Sequence, residues 1–334
     1  MQLRTLPVVR RDTTTVQVGT DPRWAVALGD LSPPAAGVLA ALPPGAPERT
    51  VRTALQAAGV DAEEADAILD HLARGHLMVR TPAAVPPAEQ ADLRAWSLLS
   101  ADGDVAPLLA ARAAARVRIW GLDRVGIAVA QTLALAGVGR LELDDPSPVL
   151  PADVGFGGLT DRDLGEPREL AVARAVRAAR PRAQTLAAVG RSPDLVVLVD
   201  RAVADPVRHT PLRDAGVPHL SVLVREASVL VGPLVVPGST ACLTCAELHR
   251  ADADPAWPLV AAQLVAARAS ASLVAESTLA VAAGALATVQ VLAHLDGRPC
   301  ATHDAALELS LPLTVPRAQH WLPHPECGCG SQVR

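Results

Sequence analysis

The stretch RVRIWGLDRVGIAVAQTLALAGVGRLELDD, residues 116–145, decides the fold. RVRIW reads as a five-residue strand. A glycine turn follows at Gly121, then an Ala- and Leu-rich helix, then a second strand ending in Asp144 and Asp145. Strand, glycine turn, helix and strand make a βαβ unit. Further on, DLVVLVD (194–200) and VPHLSVLVREASVLVGPLVVP (217–237) read as more strands, and RELAVARAVRAARP as a helix stopping at Pro181. Alternating strands and helices predict an α/β fold with a mostly parallel, doubly wound sheet.

Gly121 and Gly126 occupy the first and last positions of a G-x-G-x-x-G nucleotide turn. The middle position is Asp123, followed by Arg124. A glycine there lets backbone N–H groups approach a phosphate, and Asp123 brings bulk and negative charge instead. The reading favours a turn retained for the fold after its ligand was lost.

The rest of the chain narrows the function classes. Its 334 residues suit two or three domains, and half of them are hydrophobic. Aromatics number five Trp and one Phe, with no Tyr, and all 30 basic residues are Arg. Lysine chemistry, such as a P-loop lysine or a Schiff base, is therefore excluded. A net charge of −5 argues against nucleic acid as a partner. MQLRTLPVVRRD has no apolar run of signal-peptide length, so the expected compartment is the cytoplasm. In that reducing setting cysteines act as ligands or free thiols. STLAVAAGALATVQVLAH (277–294) is nearly long enough to cross a bilayer, but its Ala, Ser, Thr and Gln content predicts a buried helix and no membrane span.

Residues 1–80 read as a small α+β domain of winged-helix type. VVRRDTTTVQVG alternates as a half-buried strand, and AVALGDLSP suggests a second strand and turn. Three helices follow. In the third, Asp61 is the expected N-cap, Ala65, Ile68, Leu69 and Leu72 form one face, and Gly75 is the stop. HLMVR closes the unit. TPAAVPPAEQ opens a linker assigned to 81–104, and 105–334 is the second domain.

Cys242 and Cys245 form a C-x-x-C, and Cys327 and Cys329 a C-x-C. Two local clamps with four thiolates suit a closed tetrahedral zinc site, which leaves no position for water and is structural. Cys300 is left over as a lone thiol. His249 and His324 lie beside the clusters. In HRADADPAWPLVAAQL, residues His249, Arg250, Asp252, Asp254 and Trp257 are either a charged turn over a packed Trp or part of a peptide contact.

The glycine turn, Asp145, DLVVLVD with Asp200, CLTC and the late CGC together resemble the ThiF-like adenylyltransferase fold of the ubiquitin-activating-enzyme superfamily. VGPLVVPGSTACLTCAELHRADADPAWP and HWLPHPECGC resemble, more narrowly, the ThiF-like partner proteins of thiazole/oxazole-modified microcin (TOMM, bacteriocin) biosynthesis. The resemblance implies a PqqD-like winged-helix domain at 1–80 that binds the leader segment of a precursor peptide. It also implies a YcaO-type cyclodehydratase as partner, and a homodimer with the alanine-rich helix as a possible packing face. In active members a ribose-binding acid, a lysine and a magnesium-binding aspartate serve ATP. Asp145 and Asp200 match the two acids, and Arg168 stands where the lysine is expected. The Asn/Arg/Gln cluster has no match in PADVGFGGLTDRD. The departures remove groups that cradle the triphosphate, which disfavours ATP/Mg2+ and leaves no catalytic residue assigned. Two functions stay open: a non-catalytic peptide-binding scaffold, or an ATP-dependent adenylyltransferase acting on a carrier protein or peptide. For the scaffold, Val16 and Val18 are the expected edge residues for an added peptide strand, with Arg10 and Arg11 meeting acidic leader side chains.

Overall fold

The computed structural model describes residues 1–80, 90–185, 192–267, 273–312 and 315–330. The chain divides into two compact units, Met1–Leu109 and Ala110–Arg334.

In the first unit, β2 (Val8–Arg10), β3 (Val16–Val18) and β4 (Val26–Leu28) form an antiparallel sheet in the order β2-β3-β4. The segment 8–19 is thus a hairpin, where the alternating pattern predicted one strand. Asp12 causes the break: its Oδ1 accepts from Thr14 N at 2.8 Å, and Arg11 N donates to Thr15 O at 2.9 Å. Val16 and Val18 lie in the central strand, 0% and 1% exposed, so they are not edge residues. The edges belong to β2 and β4.

Helices α1 (Pro33–Ala41), α2 (Glu48–Ala57) and α3 (Ala62–Arg74) follow, and β5 (Met78–Val79) pairs with β1 (Gln2–Leu3). Asp61 caps α3 by accepting from Glu64 N, and the buried residues of α3 are Ala65, Ile68, Leu69 and Leu72, as its spacing predicts. The stretch read as the end of the linker is structured. Residues 81–89 lie outside the described set, but α4 (Gln90–Ser97) and the turn after it belong to this unit. Arg4 explains why. It is 6% exposed, and its guanidinium donates to the carbonyls of His76 (2.6 Å), Ser97 (2.6 Å) and Ser100 (2.7 Å). One buried cation thus holds both ends of the unit.

The second unit is built on a seven-stranded sheet in the order β12-β11-β10-β9-β8-β6-β7. Its strands β6 (Arg116–Trp120), β7 (Arg140–Asp144), β8 (Leu195–Arg201) and β9 (His219–Val224) are parallel. From β9 onward, β10 (Ser228–Val235), β11 (Ala305–Ser310) and β12 (Arg317–His320) are antiparallel. The sheet is therefore mixed, where a mostly parallel one was expected. The long apolar run 217–237 turns back on itself at 225–228, which makes β9 and β10 a hairpin.

Helix α5 (Ala106–Ala114) carries the chain into this unit, and α6 (Arg124–Leu135), α7 (Arg168–Ala179), α8 (Pro206–Asp214), α9 (Leu243–Ala253) and α10 (Trp257–Ala267) follow in order. Helix α11 (Ser277–Leu295) is the segment long and apolar enough for a bilayer, yet half of it is buried inside the unit, against α6 and β10. Leu279, Ala280, Ala283, Ala287 and Val291 enter the core shared with Ile119, Ile127, Leu133 and Val197.

Candidate functional site

A cleft of about 820 Å³ opens at the carboxyl ends of β6, β7 and β8. Strand β6 has β7 on one side and β8 on the other, so this is the point where the strand order reverses and where doubly wound sheets bind ligands. The cleft is lined by all the expected residues except Gly126: Gly121, Asp145, Arg168 and Asp200. Gly126 lies behind it, where its α-carbon faces Gly121 O so closely that a methyl group would not fit. Gly121 has φ +103°, and a Cβ there would come within 2.6 Å of Val199 O. Both glycines are thus required by the turn itself.

Asp123 is the N-cap of α6. Its Oδ1 accepts from Val125 N at 3.0 Å and Gly126 N at 3.2 Å, and the side chain is buried. The sequence signal for this was present, since Asp directly before a helix is a favoured cap. Arg201 Nε stands 3.6 Å from Asp123 Oδ2. Burial pushes the Asp123 carboxyl up, and Arg201 and the two amides oppose that shift.

Asp145 accepts from Leu122 N at 2.8 Å through Oδ2 and from Ser147 N at 3.0 Å through Oδ1. Arg168 grips Asp153 with Nε (3.0 Å) and Nη2 (2.7 Å), and its Nη1 lies 3.6 Å from Asp145. Asp200 is bonded by Arg208 Nη1, and burial pushes its carboxyl up against the pull of that guanidinium. Arg208 also donates to Trp120 O at 2.6 Å and sits 4.6 Å over the Trp120 ring. Asp153 and Arg208, which pair off the expected site residues, carry no motif of their own in the sequence.

Among the described residues, each arginine lining the cleft therefore faces a carboxylate: Arg168 faces Asp153, Arg201 faces Asp123 and Arg208 faces Asp200. A triphosphate would find its helix start capped and its cations engaged, so the residues present do not fit the phosphate part of ATP. No step is routed through it.

The four clamp cysteines come together in the second unit. Cys242 caps α9 and Cys245 lies in its first turn. Sγ–Sγ distances are 3.7 Å for Cys242–Cys245, 3.5 Å for Cys242–Cys327 and 3.6 Å for Cys245–Cys329. All four sulfurs lie within 4.8 Å of one another. Four thiolates about 2.3 Å from a tetrahedral zinc ion have sulfur–sulfur edges of about 3.8 Å, so the set fits such an ion. Burial pushes the Cys245 and Cys327 thiols up; Cys242 and Cys245 add to the shift at Cys327, whereas at Cys245 the charge of Cys242 adds to it and the Cys327 hydrogen bond opposes it. A bound dication reverses that by favouring thiolate. The four cysteines could thus hold a metal such as zinc.

No protein-family model matches the chain, and no curated protein matches it. Solved structures do. The fold is that of MccB. Escherichia coli MccB with ATP shares 15% identity over 99% of this chain and 100% of that one, at a TM-score of 0.68. The microcin C7 biosynthetic enzyme MccB with N-formylated MccA shares 14%, with 99% of each chain covered and a TM-score of 0.65. PaaA shares 15% over 95% of this chain and 99% of that one, at 0.68. The α/β class expected from the sequence is thus present, with a mixed sheet, and the fold is similar to that of MccB.

The segment 249–264 adds ties at the surface. Arg250 pairs with Glu247 and lies 5.6 Å from the Trp257 ring and 5.5 Å from the Trp321 ring. His249 Nε2 and Leu322 O are 2.9 Å apart. His324 Nδ1 accepts from Glu326 N at 3.1 Å, so its Nε2 carries hydrogen and donates to Asp252 at 2.9 Å. That tautomer makes His249, Asp252 and His324 a hydrogen-bonded latch between α9 and the cysteine-bearing tail. Cys300 contacts Gln290 Oε1 at 3.3 Å and Thr302 Oγ1 at 3.2 Å, apart from the four-thiol cluster.

Proposed function

We propose that the chain is a non-catalytic partner in the modification of ribosomally made peptides, of the TOMM type. It holds the leader segment of a precursor peptide and presents the remainder to a separate YcaO-type cyclodehydratase. The observation that carries this reading is the pairing of each described cleft arginine with a carboxylate, in a fold shared with the microcin C7 biosynthetic enzyme MccB. The fold is suited to peptides, while the machinery for activating them with ATP is engaged internally.

The first unit is the peptide binder, as a PqqD-like winged helix. Of its two edge strands, β4 adjoins a cavity of about 380 Å³ lined by Trp24, Val26, His76, Leu77 and Leu99. A peptide strand added to β4 would gain backbone hydrogen bonds and could place alternate side chains in that cavity. Arg10, exposed on β2, and Arg11 beside it are left to meet acidic side chains. The four-cysteine site holds structural zinc, and the protein works as a cytoplasmic homodimer.

The test is titration of the full chain with a fluorescently labelled candidate precursor peptide, read by fluorescence anisotropy. Saturable binding is expected, together with no ATP–pyrophosphate exchange. Absence of association at high micromolar peptide would remove the reading. The alternative is an adenylyltransferase acting on a carrier or peptide, favoured by the likeness to MccB solved with ATP. Robust exchange in the presence of peptide would establish it.

A further inference from the structure

We propose, resting on that reading of the cleft, that Asp123 is what closes the start of α6 to phosphate: the carboxylate is a built-in anion seated on the donors a phosphate oxygen would take. The N–H groups of Val125 and Gly126 are those a helix start offers to a phosphate oxygen. Both are spent on Asp123 Oδ1, at 3.0 and 3.2 Å. On the other oxygen, Arg201 Nε stands at 3.6 Å, and this buried Nε has no hydrogen-bond acceptor among the described residues. Two amides and a guanidinium converging on one carboxylate are the surroundings that a phosphate oxygen takes. Asp123 itself lines the cleft, which at about 820 Å³ has room for a polyphosphate chain.

The native side chain excludes such a ligand twice, by occupying the donors and by like charge. Removing it frees two N–H groups and Arg201 together, toward the cleft. The ligand class admitted is a polyphosphate, either free pyrophosphate or the tail of a nucleoside triphosphate. Glycine is well tolerated at a helix N-cap, far better than alanine, so Asp123→Gly is expected to fold.

The experiment is calorimetric titration of the full-length wild type, Asp123→Gly and Asp123→Ser with pyrophosphate, Mg-ATP and adenosine. Thermal melts accompany it to confirm folding. Wild type is expected to bind neither pyrophosphate nor ATP measurably. Asp123→Gly should bind both at least about tenfold more tightly than wild type, with adenosine unchanged. Asp123→Ser keeps a capping oxygen without the charge and should gain in the same direction by less. It also carries the test should the glycine variant not fold. Equal ATP affinity in wild type and both variants overturns the proposal, as does a gain that adenosine shares in full. A wild type that binds precursor peptide, beside variants that gain no phosphate affinity, removes this inference and leaves the peptide-binding reading standing.

Discussion

Arg112 and Asp296 are each 1% exposed at the side chain, and they meet through two hydrogen bonds of 3.0 and 2.6 Å. An ion pair this deep is costly to break, because the partner left behind keeps its charge without solvent. Asp296→Ala should lower unfolding stability by about 3–5 kcal/mol, and replacing both residues with apolar ones by less. Urea titrations of the two variants check this. A second buried group gives a pH dependence. Burial, aided by His219 and Arg213 and opposed by Asp205, pushes His209 down to about 4. Burial lowers His219 as well. The folded state holds these rings neutral, while the unfolded chain takes up protons below about 6.5. Stability is therefore full above that pH and falls on acidification toward about 4, by about 3 kcal/mol for His209. His209→Leu should flatten most of that slope in denaturant titrations run from pH 7 to pH 4. At the cysteines, Cys245→Ser should abolish stoichiometric zinc and lower the thermal midpoint, and a strong chelator should do the same to wild type. Metal analysis beside a melt gives both readings.

Among the elements, α6 and α11 meet at Gly284, whose missing Cβ would overlap the Cβ of Ala128. Gly284→Ala should cost about 1–3 kcal/mol through overpacking, despite its gain in helix propensity. A melt of that single variant tests how tightly the two helices are set. Helices of this kind were legible in advance: α3 keeps its cap, its face and its stop, because each depends on residues within two turns. Strand partners were not. The alternation of VVRRDTTTVQVG shows which side chains are buried, but not that an Asp12 turn folds the segment into a hairpin and makes its second half the central strand. The run 217–237 is equally apolar whether its strands run parallel or antiparallel. The site behaves likewise. Gly121 is legible in the glycine turn, and Asp145, Arg168 and Asp200 only through the family resemblance; the structure places all four at the cleft. Their counter-ions Asp153 and Arg208 belong to no pattern, and only the folded chain brings them there.

Over the whole molecule, the two units differ in what completes them. The first depends on Arg4 reaching the carbonyls of Ser97 and Ser100, far along the chain. A fragment of residues 1–109 is expected to melt cooperatively. One ending at residue 80 leaves a buried guanidinium short of acceptors and should melt at lower temperature or not fold. Circular dichroism of the two fragments distinguishes these outcomes. The second unit is closed by its thiol cluster, which joins α9 to the segment after β12. Cys242 and Cys327 hold their sulfurs 3.5 Å apart across 85 positions of sequence. So short a gap is also a hazard: peroxide can oxidise the two thiols to a covalent cross-link, and a metal ion held there would lose half its donors. Material handled in air would then run faster on a non-reducing gel, and would regain any metal-binding capacity only after a reductant.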